Sequence, residues 1–325
     1  MPETTMMAIR VHTQGGPEVL TYEEVTRPEP GPGDVLVRVH AVGVNPPDWY
    51  ARSGFTLIPE ELRPELRLPW TPGSDASGVV VAVGEGVTEF REGDEVFGMI
   101  RFGDMNDGGR TYAEYTTAPV AHLARKPSGI DHVAAAGIPM SGLTAYQNLF
   151  GHVGLAGGER VLVNGAAGGV GHFAVQLAKI RDAHVIGVAS TRHEEFLRGL
   201  GVDEYVDHTR VPAEEAVGEV DLLIDTVGGP DGHRFLRILR PGGTICPIFF
   251  GDYHRDRAAE LGIAFRSGQV RSDGADMAEL ARLVDEGRLR VGVDSVFPLS
   301  EAAQAHARAA EGHIQGKIVL RVAES

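Results

Sequence analysis

Cysteine is almost absent from this 325-residue chain, which contains a single one, Cys246. One thiol can form neither an intramolecular disulfide nor a four-cysteine zinc site, so proteins held together by either are excluded. Basic residues are also scarce, because 30 Lys and Arg stand against 45 Asp and Glu, for a net charge of −15. Such an acidic surface repels phosphate groups, so neither nucleic acid nor an anionic membrane surface is expected as a partner.

Long apolar runs are missing as well. No stretch approaches the ~18 apolar residues that a spanning helix needs, and no apolar signal core follows the acidic start at 1–5. We therefore expect a soluble cytoplasmic protein of two domains, at roughly 150 residues per domain. Glycine is the residue in excess, with 43 in the chain. This excess predicts tight turns and places where the backbone closely approaches another group.

The first part of the chain, residues 1–127, has the pattern of a β-rich domain. Val35–Val42 and Gly78–Val83 are β-branched runs bounded by glycine and proline, which is typical of strands joined by turns. Their spacing favours a small barrel-like domain over a helical one.

Residues 128–265 alternate strand and helix patterns instead. Apolar strands are predicted at 160–164, 184–189, 221–225 and 244–248, with helices at 170–181 and through Glu195 and Leu200. Strands this apolar are buried on both faces, as in a parallel sheet covered by helices. The remaining segment, 266–325, carries two predicted helices (275–286 and 300–310) and a last strand at 317–320. The fold class is therefore α/β, with a doubly wound parallel sheet.

A glycine-rich loop lies between the first strand of this alternation and its helix, in the run Val163–Gly171. Glycine at Gly168 lets backbone amides approach a pyrophosphate, and Gly171 lets the helix pack closely on the strand. The helix N-terminus adds amide donors and positive potential. Ala166 occupies the place of the first glycine of G-x-G-x-x-G, so the alternative is an ordinary strand–helix turn. The predicted phosphate-binding residues are Ala167, Gly168, Gly169 and Val170.

The end of the second strand selects between the two nicotinamide cofactors. An NAD site places an acid there to bind the ribose 2′-hydroxyl, but this chain has Ser190-Thr191-Arg192 and no acid until Glu194. A hydroxyl with a guanidinium suits a 2′-phosphate. This pattern favours NADPH, held by Ser190 and Arg192. The alternative is that Arg192 is a solvated residue at a helix start.

Seven segments together resemble the medium-chain dehydrogenase/reductase superfamily, in its zinc-independent, quinone oxidoreductase-like branch. They occur in the family's order along nearly the whole chain: Ala41–Asp48, Pro72–Gly78, Gly93–Gly98, Gly142–Tyr146, Gly165–Gly171, Leu239–Gly243 and Gly316–Leu320. The resemblance implies a GroES-like catalytic domain, a Rossmann cofactor domain and a C-terminal segment that returns to the first domain. It also implies a cofactor in the cleft between the domains. A homodimer is expected, paired through sheet edges near 244–250 or 264–270.

The zinc ligands of the metal-dependent relatives are replaced in this chain. Val44-Asn45 lies where those relatives have a cysteine, and Gly73-Ser74-Asp75 replaces their Gly-His-Glu. None of the 13 histidines is expected to join a ligand cluster, so no metal site is predicted. Without a metal to polarise a carbonyl, alcohol oxidation is disfavoured.

Hydride transfer to a quinone or an α,β-unsaturated carbonyl needs less help, because conjugation delocalises the developing charge. The main hypothesis is therefore an NADPH-dependent, metal-free oxidoreductase that acts on a small quinone or enone. The alternatives are an enoyl reductase of fatty-acid or polyketide metabolism, and a non-catalytic, crystallin-like NADPH-binding protein.

The resemblance assigns two catalytic candidates. Asn45 would lie near the nicotinamide as a hydrogen-bond donor, or would only shape its loop. Tyr50 occupies the place of lysine in the family's Asp-x-Lys pattern; it would donate a hydrogen bond or proton, or would pack against the cofactor. Asp48 is expected to brace the loop, while His40 and His172 are expected in the core.

The resemblance also adds cofactor contacts. Thr144 would lie close to the nicotinamide, and the chain at Phe249 and Phe250 would run alongside the nicotinamide ring. His208 replaces a family tyrosine at the adenosine phosphate end, and Lys317 would reach the cleft or remain on the surface. Two irregular stretches, 59–69 and 101–110, are candidates for the substrate pocket.

Overall fold

A computed structural model of the chain describes residues 4–56, 58, 60–104 and 108–323. Its N-terminal part is mostly β-structure, and the β-branched runs of the sequence form its two long paired strands. Its elements are β1 (Thr5–Val11), β2 (Leu20–Thr26), β3 (Asp34–Gly43), α1 (Pro46–Arg52), β4 (Asp75–Val83), β5 (Glu95–Met99), β6 (Tyr115–Pro119) and β7 (Leu123–Arg125). β3 pairs antiparallel with β4, and α1 follows β3 directly, which places the loop at Asn45 at the end of a buried strand.

The central part is the predicted alternation of strand and helix. Its elements are α2 (His132–Ala136), α3 (Pro139–Tyr146), β8 (Arg160–Asn164), α4 (Gly169–Ile180), β9 (His184–Ala189), α5 (Glu194–Gly199), β10 (Glu204–Asp207), α6 (Ala213–Ala216), β11 (Val220–Asp225), β12 (Leu239–Pro247), α7 (Arg255–Glu260) and β13 (Ala264–Phe265). Within the described residues the strands form a parallel sheet in the order β10-β9-β8-β11-β12-β13. The α/β fold class is therefore confirmed.

The structure corrects one expectation about this sheet. The strand predicted at 244–248 begins earlier, at Leu239, and lies between β11 and β13. β13 pairs only with Thr244 and Ile245 of this strand, and among the described strands the edges of the sheet are β10 and β13. Pairing of two copies through 244–250 or 264–270 stays a prediction.

The C-terminal segment returns to the first sheet. It contains α8 (Gly274–Asp285), β14 (Val293–Pro298), α9 (Ala302–Ala310) and β15 (Lys317–Arg321). β15 pairs antiparallel with β3, with Val319 opposite Gly43, and the Val44 amide donates to the Ile318 carbonyl over 3.0 Å. This pairing brings Lys317 beside Asn45, across 272 residues of chain.

One hydrophobic cluster joins the two sheets. It includes Phe97 of β5, Leu143 of α3, Phe173 of α4 and Leu280 of α8, all fully buried. Burial of each such side chain stabilises the fold by about 1.5–3 kcal/mol. Because the cluster includes residues of both sheets, it holds the two sheets together. In the described part of the chain, no helix combines the length and apolar character needed to cross a membrane.

Candidate active site

A cleft of about 990 Å³ lies between the two sheets. Its walls come from the loop after β3 with α1, from the carboxyl ends of β8, β9, β11 and β12, and from the segment before β15. Among the described residues that line it there is no cysteine, aspartate, glutamate or arginine, and Lys317 is the one lysine. Ligands bind at this end of open parallel sheets, so the cleft is the candidate active site.

The glycine loop forms one end of the cleft, where Ala167, Gly168, Gly169 and Val170 all line the wall. Gly165 has φ +75°, a left-handed conformation that favours glycine. A Cβ on Gly171 would lie 2.2 Å from the Gly165 carbonyl oxygen, so the predicted close packing of α4 on the loop is confirmed. The first-turn amides of α4 have no intrahelical acceptor, which makes this end suited to an anion.

The far end of the cleft carries imidazoles. Ser190 and His208 line it as expected, together with His193 and His313. Arg192 does not line it: this exposed side chain donates to the His313 carbonyl over 2.9 Å and lies 3.3 Å from His193 Nε2. Arg192 thus ties the segment before β15 to the end of β9, and its predicted contact with a 2′-phosphate stays a prediction.

Beside the glycine loop, the cleft wall contains a buried polar network around Asn45 and Lys317. The side-chain amide of Asn45 donates to Asp75 Oδ2 over 2.8 Å and to the Gly43 carbonyl over 3.3 Å. Its Oδ1 accepts from Lys317 Nζ, which also donates to the Val44 carbonyl over 3.0 Å. Both donors of Asn45 are therefore used within the protein, so Asn45 holds the loop and Lys317 instead of offering a donor to a ligand.

Lys317 lines the cleft but is only 3% exposed, so it is not a surface lysine. Burial lowers its pKa, while the neighbouring Asp75 and Asp48 raise it. An ammonium has three N–H donors, and two of them are directed at Val44 and Asn45. The third is left for a ligand in the cleft.

Two buried carboxyls lie behind this wall. Burial raises the pKa of Asp75 to about 6, against the opposing effects of Lys317 and of hydrogen bonds from Asn45 and the Met140 amide. Burial raises the pKa of Asp48 to about 7, although the Asn45 amide donates to it over 2.8 Å. This hydrogen bond from the backbone amide of Asn45 closes the capping box of α1, so the expectation that Asp48 braces the loop is confirmed.

A hydrogen-bonded chain leads from Asp48 to α9. Tyr112 donates to Asp48 Oδ2 over 3.2 Å, His306 Nε2 lies 3.2 Å from the Tyr112 hydroxyl, and Arg52 lies 3.2 Å from His306 Nδ1. Because a guanidinium only donates, Nδ1 accepts and Nε2 carries the proton. Burial lowers the pKa of His306 to about 3, which keeps it neutral. The chain fixes α1 against α9, and sequence analysis missed it because its members are distant along the chain.

Aromatic side chains face each other across the cleft. Tyr50 of α1 stacks on Phe249 with ring centroids 6.0 Å apart and planes at 28°. Burial raises the pKa of Tyr50, and a hydrogen bond from Trp49 opposes this. The raised pKa keeps the Tyr50 hydroxyl protonated, so its proton is available to a ligand. Tyr50 therefore packs in the cleft and can also donate there, while Phe250 is 79% exposed at the rim.

The remaining expected contacts divide between the cleft and the core. Thr144 lines the cleft, and its hydroxyl donates to the Met140 carbonyl over 2.6 Å, which leaves the oxygen as an acceptor. His40 and His172 are buried, as expected. In the stretch 101–110, Phe102 lines the cleft, while residues 105–107 lie outside the described residues. The described part of 59–69 does not line it, and Pro59 lies outside the described residues.

The described residues of the cleft do not bring three zinc ligands together. One group of three possible ligands lies together among the described residues, namely His233, Asp252 and His254, and none of the three lines the cleft. The prediction that no metal site is present stays a prediction. A catalytic zinc needs three protein ligands at the reacting end, so the residues of the cleft do not fit one.

Comparisons with known proteins agree with this architecture. Residues 31–128 match the family of the alcohol dehydrogenase GroES-like domain, and residues 200–320 match that of the zinc-binding dehydrogenases. The chain is 33% identical to a human quinone oxidoreductase over 334 residues, covering 97% of each chain. It is 31% identical to a chloroplastic quinone-oxidoreductase of Triphysaria versicolor, covering 94% of this chain and 95% of the relative.

A solved structure agrees as well. The quinone oxidoreductase from Coxiella burnetii superimposes with a TM-score of 0.87 at 33% identity, covering 98% of this chain and 100% of the other. The chain thus has a cleft between its two sheets and is similar to these proteins along nearly its whole length. The chain therefore belongs to the medium-chain dehydrogenase/reductase superfamily, among its quinone oxidoreductase-like members.

Proposed function

We propose that this protein is an NADPH-dependent reductase that transfers hydride to a quinone or an α,β-unsaturated carbonyl without a metal ion in its cleft. The observation that carries the proposal is the cleft itself, which is lined by the glycine loop and by aromatic side chains and in which no three described residues form a zinc ligand group. Relatives named quinone oxidoreductase, similar along nearly their whole length, support the same reaction class.

NADPH would supply the hydride, and the residues of the chain would bind and orient it. The amides at Gly168–Val170 suit the pyrophosphate. Ser190 and His208 line the part of the cleft where the adenosine would lie, and Arg192, which donates to the carbonyl of the lining residue His313, would reach its 2′-phosphate. Thr144 and Phe249 line the part of the cleft next to Tyr50, which suits the nicotinamide. The third N–H of Lys317 suits a ribose or phosphate oxygen between these ends.

One side-chain donor, Tyr50, would serve the reduced substrate. Reduction of a quinone by one hydride and one proton yields a hydroquinone, and the developing negative charge lies on oxygen. Tyr50 keeps its proton at neutral pH because burial raises its pKa, so its hydroxyl can donate a hydrogen bond to that oxygen. Solvent at the cleft mouth would restore the proton. Asn45 contributes by holding Lys317 and the loop, since its own donors are occupied.

Steady-state turnover tests the proposal. NADPH oxidation should be measured with 1,4-naphthoquinone, with an enone such as methyl vinyl ketone, and with crotonyl-CoA, in each case also with NADH. We expect turnover with the quinone or the enone and a preference for NADPH. Turnover confined to crotonyl-CoA would favour the enoyl reductase, and tight NADPH binding without turnover would favour a non-catalytic protein.

Chelation tests the metal-free part separately. Protein dialysed against EDTA should keep its full rate, because no three of the described cleft residues form a zinc ligand group. Loss of activity that only Zn²⁺ restores, in the wild type and equally in Asp252→Asn, which alters the ligand group outside the cleft, would contradict the proposal.

A further inference from the structure

The three possible metal ligands outside the cleft come from two neighbouring loops of the parallel sheet. His233 lies in a 3₁₀ turn, Gly232–Arg237, which follows β11. Asp252 and His254 lie between β12 and α7. One ligand atom from each of the three side chains lies within 4.8 Å of the other two.

The backbone holds these loops together without help from the three side chains. The Gly229 amide donates to the Phe250 carbonyl over 2.9 Å, and the Asp252 amide donates to the Gly229 carbonyl over 2.9 Å. Tyr253 is only 3% exposed, and its hydroxyl donates to Asp225 Oδ2 over 2.9 Å. Tyr253 thus anchors the segment inward, and its neighbours Asp252 and His254 are exposed.

The distance between the two exposed ligands fits a shared ion better than a hydrogen bond. His254 Nε2 and Asp252 Oδ2 are 3.6 Å apart, which is too long for a hydrogen bond. Two ligand atoms at the usual zinc distances, in tetrahedral geometry, are about 3.4 Å apart. Asp252 Oδ1 already accepts from the His254 amide over 3.0 Å, so Oδ2 is the oxygen left to coordinate.

His233 completes the set. Its Nδ1 is buried and has no hydrogen-bond partner within the described structure, so the protein leaves a nitrogen of this imidazole unused. Its ring stacks on that of His254, with centroids 4.0 Å apart and planes at 8°. His254 has φ +45°, a left-handed conformation that is uncommon outside glycine. Because the two ring planes are nearly parallel, binding one ion requires a side-chain rotation that turns one ring out of the stack, so that a nitrogen of each ring points at the ion at the distances zinc requires.

We propose that His233, Asp252 and His254 form a surface site for one divalent transition-metal ion, with two imidazoles and a carboxylate as ligands and water in the open position. This donor set suits Zn²⁺. A bound ion would clamp the segment after β12 onto the loop after β11. That segment begins with Phe249 and Phe250 of the cleft wall, so the clamp would hold the rim of the active site from outside.

Calorimetric titration with ZnCl₂ tests the site on the full chain, after EDTA and extensive dialysis. We expect one saturable ion per chain, and His254→Ala and Asp252→Asn should each weaken binding at least 10-fold. The matched control is His12→Ala, because His12 and Glu23 form an equally exposed imidazole–carboxylate pair that lacks a third ligand. Unchanged affinity in both site variants, or equal loss in the control, would overturn the proposal.

Two further measurements do not depend on one variant's folding. The electron paramagnetic resonance spectrum of the Cu²⁺-loaded protein should report two nitrogen ligands in the wild type and one in His254→Ala. Zn²⁺ should raise the thermal midpoint of the wild type and of His12→Ala, but not that of Asp252→Asn, because a ligand stabilises the state it binds. A spectrum without two nitrogens, or an equal shift in all three proteins, would refute the site.

Discussion

Substitution of Gly171 by alanine perturbs the glycine loop from within the helix that follows it. The new Cβ would lie 2.2 Å from the Gly165 carbonyl oxygen, with Ala166 backbone atoms at 2.8 and 2.9 Å. All of these neighbours are backbone, so no side chain can rotate away. Contacts of this kind below 3.0 Å do not persist, so the loop must move by about 0.8 Å away from α4.

The cost in stability follows from two opposing terms. Overpacking of this kind costs about 1–3 kcal/mol, and replacing glycine by alanine within a helix returns up to about 1 kcal/mol. A net loss of about 1–2 kcal/mol should lower the thermal midpoint by roughly 2–6 °C for a chain of this size. The same movement displaces the amides of Gly168 and Gly169, so the Kd for NADPH should rise by at least about tenfold, as one lost charge-assisted hydrogen bond would cause.

Two other glycines separate these effects. At Gly168 the nearest neighbour of an added Cβ is the Gly165 oxygen at 3.4 Å, so Gly168→Ala should fold normally but weaken NADPH, whose pyrophosphate would meet the methyl group. At Gly199, the last residue of α5, an added Cβ meets nothing within 4 Å. Gly199→Ala should therefore leave NADPH binding unchanged and stabilise the fold by about 0.4–1 kcal/mol.

Thermal unfolding and fluorescence titration with NADPH provide the assay. If Gly171→Ala keeps the wild-type midpoint and the wild-type Kd, the close approach of α4 to the loop does not position the phosphate site. If Gly168→Ala leaves the Kd unchanged while Gly171→Ala raises it, the loop matters for folding but does not face the pyrophosphate.

Three further predictions concern single side chains. Tyr50→Phe keeps the stack on Phe249 but loses the hydroxyl, so kcat with a quinone should fall about 100-fold with little change in KM for NADPH; an unchanged kcat would mean that Tyr50 only packs. Arg192→Ala should raise KM for NADPH by about tenfold more than for NADH if the guanidinium reaches a 2′-phosphate, whereas equal increases would leave it only the tether to His313. For Asp48, whose pKa is raised to about 7, the folded protein holds a proton that the unfolded chain releases above about pH 4, so its contribution to stability falls as pH rises from about 4 to 7. Thermal midpoints across this range should decline less in Asp48→Asn than in the wild type, and parallel curves would contradict the raised pKa.

The sequence alone was sufficient for the features that depend on neighbours along the chain. Continuous apolar runs predicted β8, β9 and β11 to within one residue, because a strand buried on both faces must be apolar along its whole length. The glycine loop was predictable for a similar reason. Glycine readily adopts the φ of +75° at Gly165, and only glycine leaves out the Cβ for which there is no space at Gly171. The residue types therefore indicate the backbone conformation of the loop.

Contacts between distant segments were decided by tertiary structure. Asn45 belongs to a motif of the family, but its side-chain amide donates to Asp75, 30 residues away. Its side-chain oxygen accepts from Lys317, which lies beside it because β15 pairs with β3. No local pattern records such a pairing, because strand partners are chosen by the packing of the whole sheet.

The same reason explains other contacts that the sequence did not predict. Arg192 donates to the His313 carbonyl of the returning C-terminal segment. His233 meets Asp252 and His254 only because β11 and β12 are adjacent in the sheet. The sequence identifies the residues whose side chains can bind a phosphate or a metal. Which of these side chains lie close together depends on the order of the strands in the sheet.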